Sequence, residues 1–196
     1  MDHILIPFEI KASGEEDGTI SGYGSVFGNV DSHGDTVAPG AFTKTIDDAK
    51  TGVGQWPVML LQHGDDSARG KTPIGIWTDI IEDHRGLKLT GKLAIKIQRG
   101  AEAYALLKMQ PRPALDGLSI GYRAKDYDLH KSGGPNGARR TLKAVDLVEC
   151  SLVTFPADKF ARVASVKARR EEDEAVLWKK WAMADFQMLR RLTNRS

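Results

Sequence analysis

Short extended segments separated by glycine- and proline-rich turns dominate the first 166 residues of this 196-residue chain. Seven segments are predicted to be strands, at residues 3–12, 19–27, 58–63, 74–81, 87–95, 115–127 and 141–154. Two segments with helical spacing, 41–50 and 100–109, lie between them. Because strands and helices do not alternate at regular length, a doubly wound sheet is disfavoured. The pattern predicts a mixed β-barrel of about seven strands, closed or nearly closed, with flanking helices.

The segment 167–196 differs from the rest of the chain. It carries eight Lys or Arg against five Asp or Glu, while the whole chain has a net charge of only +2. Its large apolar residues recur at three- and four-residue steps, as on one face of a helix: Trp178, Trp181, Phe186, Leu189 and Leu192. We therefore expect two parts, a folded domain over residues 1–166 and a basic amphipathic helical tail over 167–196. The tail is expected either to dock on another protein or to pack on the domain or a second copy.

The composition limits the class of protein, the compartment and the partners that we expect. With 41% hydrophobic and 28% charged residues, the chain is predicted to be globular rather than disordered. No apolar run approaches the ~20 residues of a membrane helix, and no secretory signal is recognised at the start, so we expect no membrane partner. Cys150 is the single cysteine, which forbids an internal disulfide and fits a reducing compartment.

The pentapeptide Gly-Leu-Ser-Ile-Gly at 117–121 is the first candidate for chemistry. In an extended segment Gly117, Ser119 and Gly121 share one face, so the Ser119 hydroxyl is left accessible to a polypeptide. The alternative is a face of small residues packed under a helix. Since serine is a poor nucleophile without an adjacent base, the motif needs partners elsewhere in the chain.

Two further residues offer those partners. His63 ends the apolar segment 58–63, where it can be held rigidly with one ring nitrogen free. Glu149 shares a strand face with apolar residues, and a carboxylate there is costly unless it is paired. Its partner is either a histidine or an arginine such as Arg123. Cys150 points to the opposite face and is predicted to be buried and inert.

Taken in order, these segments resemble the prohead (capsid maturation) serine protease family of tailed bacteriophages, which is similar in fold to the herpesvirus assemblins. The resemblance covers about residues 4–166. It is carried by GYGSVF at 22–27, Asp31 with Gly34 and Asp35, PGAF at 39–42, LLQH at 60–63, GLSIGY at 117–122 and ECSLVTFPA at 149–157.

The resemblance implies a serine endopeptidase. It assigns Ser119 as the nucleophile, His63 as the general base and Glu149 as the third member of the triad, with no cofactor and no metal. It implies that the substrates are the scaffolding segment of the major capsid protein and the protease itself, inside an immature prohead in the host cytoplasm. The oligomeric state stays open, including a homo-oligomer. Asp31 and Asp35 are expected to shape a loop rather than to take part in chemistry.

Three other functions compete with this prediction. An α/β-hydrolase-type esterase also uses G-x-S-x-G, but it needs a histidine after the acid and a strand–turn–helix around Ser119. A non-catalytic scaffold or shell-associated assembly protein would keep the fold without the chemistry. A nucleic-acid binder is disfavoured, because no recognised binding motif accompanies the tail tryptophans.

Overall fold

A mixed β-sheet organises the chain. The computed structural model describes residues 9–12, 17–64 and 70–168. Within them the strands are β1 (Glu9–Ala12), β2 (Thr19–Val26), β3 (Asp35–Val37), β4 (Val58–Leu61), β5 (Gly75–Glu82), β6 (Gly86–Leu93), β7 (Gly117–Leu129), β8 (Arg140–Val153) and β9 (Val163–Ala168). Two α-helices, α1 (Thr43–Lys50) and α2 (Gln98–Leu107), and a short 3₁₀ turn at Pro135–Gly137 complete the described elements. Neither described helix is long and apolar enough to cross a membrane.

The strands form one sheet in the order β1-β9-β2-β6-β5-β4-β8-β3, and β7 pairs with β8. β8 is the hub of the sheet, since it pairs antiparallel with β7 and parallel with both β3 and β4. The longest ladder joins β7 to β8 from Gly117–Val153 to Leu129–Arg140. A long two-stranded arm therefore carries the segment 117–121 and Glu149 at the same end.

The sheet is not the closed or nearly closed barrel that the sequence predicted, because the strand path does not close on itself. A single bridge joins Gly117 to Arg162, just before β9, and Leu118 N–H donates to the Ala161 carbonyl at 2.9 Å beside it. Beyond this point β2 and β7 run on without a common ladder, and their residues line a shared groove.

Gly22 of β2 lies where two backbone segments approach each other closely. A Cβ added at Gly22 would lie 2.3 Å from the Arg162 carbonyl oxygen and 2.7 Å from Val163 Cα. β9 can therefore pair closely with β2, in a register that shifts at Gly22. β9 extends to Ala168, so the first two residues of the predicted helical tail, 167 and 168, belong to a strand instead. The rest of the tail, 169–196, lies outside the described residues.

The core lies between the sheet and the two helices. It includes large side chains with relative exposures of 1% or less: Phe42, Met59, Ile74, Trp77, Ile80, Leu87, Leu107, Leu118, Leu142 and Leu152. Trp77 Nε1–H donates to the Cys150 carbonyl at 3.1 Å, which ties β5 to β8 through the interior. Burial of this set fixes β4, β7 and β8 relative to one another, and these three strands carry the candidate residues.

Candidate active site

One face of the β7–β8 pair is almost bare of large side chains. Ser119 lies opposite Ser151, and Gly121 lies opposite Glu149, in the antiparallel register. Because alternate residues of a strand share a face, these four residues point to the same side of the sheet. Glu149 leans over Gly121, where an added Cβ would lie 2.3 Å from Glu149 Oε1. The carboxylate fits on this face because Gly121 has no side chain.

The other face of the same strands belongs to the core. Leu118 and Cys150 are both 0% exposed, and Ile120 packs against the core cluster. Burial, with a smaller contribution from the charge of Glu149, raises the pKa of the Cys150 thiol well above its ordinary value. The thiol therefore stays protonated and unreactive near neutral pH. This confirms that Cys150 is buried on the face away from Glu149.

His63 is in direct contact with Glu149. Its Nδ1 lies 2.7 Å from Glu149 Oε1, and its side chain is 47% exposed against 11% for Glu149. The hydrogen bond to Glu149 raises the pKa of the His63 imidazole, partial burial lowers it, and the carboxylate charge adds to the rise, so the net direction is upward. Arg123, the other partner considered for Glu149, contacts Asp146 at 3.5 Å instead.

Ser151 holds the second oxygen of the same carboxylate. It is 0% exposed, and its hydroxyl donates to Glu149 Oε2. With Oε2 held by Ser151, Oε1 is directed at His63. Ser151 was not among the site residues that the sequence predicted. Its period-two spacing from Glu149 was the signal that could have indicated this contact.

A left-handed turn carries His63 to its position. Gln62, His63 and Gly64 have φ values of 54°, 59° and 70°. Left-handed backbone costs a residue other than glycine about 1–2 kcal/mol, and the turn contains two such residues in a row. Strained backbone of this kind persists only where the surrounding structure over-determines it, and it is concentrated at functional sites.

Ser119 lies beside this pair in the wall of an open groove. The groove has a volume of ≈ 870 Å³, and its lining includes Ser119, His63, Gly121 and the exposed Phe155. Ser119 is only 5% exposed, and among the described residues no hydrogen bond joins its hydroxyl to His63. Catalytic hydrogen bonds are often long in ligand-free enzymes and tighten when substrate binds. The structure thus pairs His63 with Glu149 and places Ser119 in the same groove.

A partly buried ion pair supports another part of the groove wall. Asp35 accepts hydrogen bonds from two side chains here. Arg140 Nε–H donates to Oδ1 at 2.9 Å, and the Tyr122 hydroxyl donates to Oδ2 at 3.0 Å. Burial opposes ionisation of Asp35, but these hydrogen bonds outweigh it and hold the pKa of Asp35 below its usual value. Asp31 accepts the backbone N–H groups of His33 and Asp35 and shapes the loop between them.

The other histidines are placed away from this contact. His33 is exposed at the groove, and His84 is exposed in the turn between β5 and β6. His130 lies 2.8 Å from the Thr141 hydroxyl at the far end of the β7–β8 arm. His3 lies outside the described residues. Across residues 9–12, 17–64 and 70–168, no group of three His, Cys, Asp or Glu side chains is arranged to hold a metal ion.

Comparison with known proteins identifies the family. The family model described as Caudovirus prohead serine protease matches residues 7–175 of this chain. The chain therefore belongs to that family, as its sequence motifs predicted. Among curated proteins it is similar to the prohead protease of Enterobacteria phage HK97, with 31% identity over 164 residues, 82% of this chain and 65% of that protein. The chain thus spans less than two thirds of that relative's length.

Among solved structures the chain is similar to KSHV protease in complex with a hexapeptide phosphonate inhibitor. The match covers 74% of this chain and 63% of that chain, at 12% sequence identity and a TM-score of 0.43. A likeness at this level assigns neither a site nor a substrate to the present chain.

Proposed function

We propose that this chain is a serine endopeptidase with Ser119 as nucleophile, His63 as general base and Glu149 as the acid that orients the base. The observation that carries the proposal is the 2.7 Å contact between His63 Nδ1 and Glu149 Oε1 in a groove that Ser119 also lines. A carboxylate accepts hydrogen bonds, so this contact places the imidazole proton on Nδ1. The other nitrogen, Nε2, is then unprotonated and able to take a proton from a hydroxyl.

The chemistry is acyl transfer. As Ser119 Oγ attacks the carbonyl carbon of a peptide bond, its proton passes to His63 Nε2, and the resulting imidazolium is stabilised by Glu149. His63 then gives that proton to the departing amine, and the carbon–nitrogen bond breaks. A water molecule loses a proton to His63 and attacks the ester carbon. The bond from that carbon to Ser119 Oγ then breaks, His63 returns the proton to Oγ, and the acid is released.

Family membership supports the substrate class. We infer that the chain cleaves the scaffolding segment of the major capsid protein, and itself, inside the immature prohead. The open groove beside Ser119 fits this role, because an extended polypeptide needs a channel rather than a closed pocket. The tail at 167–196 is proposed as the segment that docks to the shell or is removed by self-cleavage.

The position of Ser119 argues against an esterase of the α/β-hydrolase type. Such an enzyme carries its serine on a sharp turn between a strand and a helix. Ser119 instead lies inside β7, which runs without a break in the strand from Gly117 to Leu129. The only described histidine that follows Ser119 is His130, and it contacts Thr141 rather than an acid.

The test is cleavage in the presence of the capsid protein from the same phage. The full chain is co-expressed with it, and intact masses and new termini are read by mass spectrometry. Wild-type protein is expected to trim the capsid protein and itself, and the Ser119→Ala variant is expected to trim neither. Ser32→Ala is the matched control, since Ser32 lines the same groove and has no assigned role.

A fluorophosphonate reagent tests the nucleophile directly. Wild type and Ser32→Ala should gain one adduct, mapped to Ser119, while Ser119→Ala gains none. Equal cleavage by wild type and Ser119→Ala would reject the nucleophile. A complete lack of cleavage and labelling in every variant would favour the non-catalytic scaffold.

A further inference from the structure

The parallel register of β4 and β8 would by itself keep His63 and Glu149 apart. Val58 lies beside Glu149, and Leu61 lies beside Leu152. If β4 continued straight, residue 63 would lie beside residue 154, roughly 16 Å along the strand from Glu149. An imidazole and a carboxylate together cannot reach across that distance. The 2.7 Å contact therefore exists only because the chain turns back after Leu61.

The turn is not one that these residues adopt readily. Gln62 and His63 both have positive φ, and neither is glycine or asparagine. The hydrogen bond from Gly64 N–H to the Leu61 carbonyl, at 3.1 Å, closes the turn locally. This one local hydrogen bond does not determine the conformation of two strained residues. A contact from outside the turn must therefore stabilise the left-handed conformation.

Gln62 provides that outside support. Its backbone N–H donates to the Leu152 carbonyl at 2.9 Å, which carries the β4–β8 pairing one residue further. Its side-chain Nε2 donates to the Thr154 hydroxyl at 2.8 Å, and its Oε1 accepts from the Thr154 backbone N–H at 3.4 Å. The amide thus uses both its donor and its acceptor on one residue at the end of β8.

We propose that Gln62 is a positioning residue for catalysis: by clamping the end of β4 to Thr154, it holds the left-handed turn that presents His63 to Glu149. This clamp, the two hydrogen bonds between the Gln62 side chain and Thr154, acts on the backbone of His63 and does not touch the reacting atoms. Its catalytic consequence rests on the proposed protease function, while its structural consequence, the His63–Glu149 contact, does not.

The contact itself gives a readout that needs no turnover. Glu149 is the charged group that the described residues place against His63, and it raises the pKa of the imidazole. If the clamp is lost, the turn samples other conformations and the bond to Glu149 is populated less. The pKa of His63 should then fall towards its ordinary value. A side chain that only stabilised the fold would lower the melting temperature without changing this pKa.

The experiment compares four full-length proteins: wild type, Gln62→Ala, Thr154→Val and Thr154→Ser. Gln62→Ala removes both side-chain contacts. Thr154→Val keeps the shape of threonine but lacks the hydroxyl, and Thr154→Ser keeps the hydroxyl. The His63 ring is titrated by NMR, with Ser119→Ala added to each protein to prevent self-cleavage. Thermal melts confirm that each protein is folded, and kcat and KM are measured with Ser119 intact.

We expect the pKa of His63 to fall in Gln62→Ala, to fall less in Thr154→Val and to stay at the wild-type value in Thr154→Ser. In the active proteins kcat should drop by on the order of 10- to 100-fold in Gln62→Ala with little change in KM, since misplacement of a catalytic group costs about that much. If Gln62→Ala does not fold, the Thr154 pair carries the test.

An unchanged His63 pKa in the folded Gln62→Ala protein, or in Thr154→Val where Gln62→Ala does not fold, would overturn the clamp even if activity fell. The expected pKa pattern in a chain that cleaves nothing would uphold the clamp and reject the protease function. The two failures are therefore distinguishable.

Discussion

The substitution Glu149→Gln tests how the acid works, because glutamine can keep the geometry while removing the charge. In glutamine one carboxylate oxygen becomes an NH₂ group, and two orientations compete. If NH₂ faces His63, it donates to Nδ1, the ring proton moves to Nε2, and the base is lost. If the amide oxygen faces His63, the correct tautomer survives. In serine proteases with a Ser-His-Asp triad, an Asp→Asn change gives the wrong tautomer and costs about 10⁴-fold in kcat.

Ser151 should allow the productive orientation here. Its hydroxyl now donates to Glu149 Oε2, but a hydroxyl can turn and accept instead. With the glutamine NH₂ donating to Ser151 Oγ, the amide oxygen faces His63 Nδ1. The loss is then the difference between a charge-assisted and a neutral hydrogen bond, about 1–2 kcal/mol. That corresponds to a drop in kcat/KM of roughly 5- to 30-fold, far less than 10⁴.

The pH dependence gives a second readout with a definite sign. His63 must be unprotonated to act as a base, so activity falls as the pH drops below its pKa. Glu149 raises that pKa, and removal of the charge lowers it. The acid limb of kcat/KM against pH should therefore move to lower pH in Glu149→Gln. A peptide that spans the cleavage site found by mass spectrometry serves as the substrate.

A double-mutant cycle isolates the contribution of Ser151. In Ser151→Ala alone, Glu149 loses one hydrogen bond and the expected loss is modest. In the double variant the productive orientation leaves the glutamine NH₂ without the Ser151 acceptor, so the combined loss should exceed the product of the single losses. A loss of 10⁴-fold in Glu149→Gln, unchanged by Ser151→Ala, would refute this role of Ser151.

Three other perturbations have outcomes set by the contacts. Gly121→Ala adds a Cβ 2.3 Å from Glu149 Oε1, so it should displace the carboxylate and lower both activity and the pKa of His63, with urea unfolding showing a smaller effect on stability. Asp35→Asn should cost about 1.5–3 kcal/mol in urea unfolding at pH 7 through the weakened bond to Arg140. The pKa of Asp35 is lower in the folded protein than in the unfolded chain. The stabilisation by Asp35 is therefore complete above the pKa of the unfolded chain and is lost as the pH falls through the pKa of the folded protein. In acid, the unfolding free energies of wild type and Asp35→Asn should become equal. Cys150 should resist iodoacetamide in the native protein and react in urea, as read by mass spectrometry.

The spacing of apolar residues predicted those helices and strand faces whose pattern is regular. The predicted helices at 41–50 and 100–109 correspond to Thr43–Lys50 and Gln98–Leu107, with shifts of about two residues at their ends. Period two also placed Cys150 on the face opposite Glu149, because a strand alternates strictly. These predictions needed only the local sequence, so they did not depend on how the strands pair.

The elements that the sequence did not predict correctly are those that depend on which strands pair. β3 (Asp35–Val37) is three residues long, too short for a pattern, and it exists because it pairs with Arg140–Leu142 of β8. β9 (Val163–Ala168) lies where the composition changes, and it is held by β1 and β2. The barrel was predicted from the number of strands and from the lack of regular strand–helix alternation, but closure depends on which strands pair. Here a single bridge, Gly117–Arg162, joins β7 to the residue before β9.

The position of His63 shows why the site was only partly predictable. The sequence indicates a histidine at the end of a buried strand and a carboxylate on an apolar face, but in a straight register the two are too far apart to touch. The turn that brings them together uses Gln62 and His63 in left-handed backbone, and no glycine, asparagine or proline marks either position as a turn. What selects the turn is a contact with Thr154, 92 residues away in the chain. Local propensity opposes this turn, so it is imposed by tertiary contacts, and such conflicts between local preference and fold are expected where function requires them.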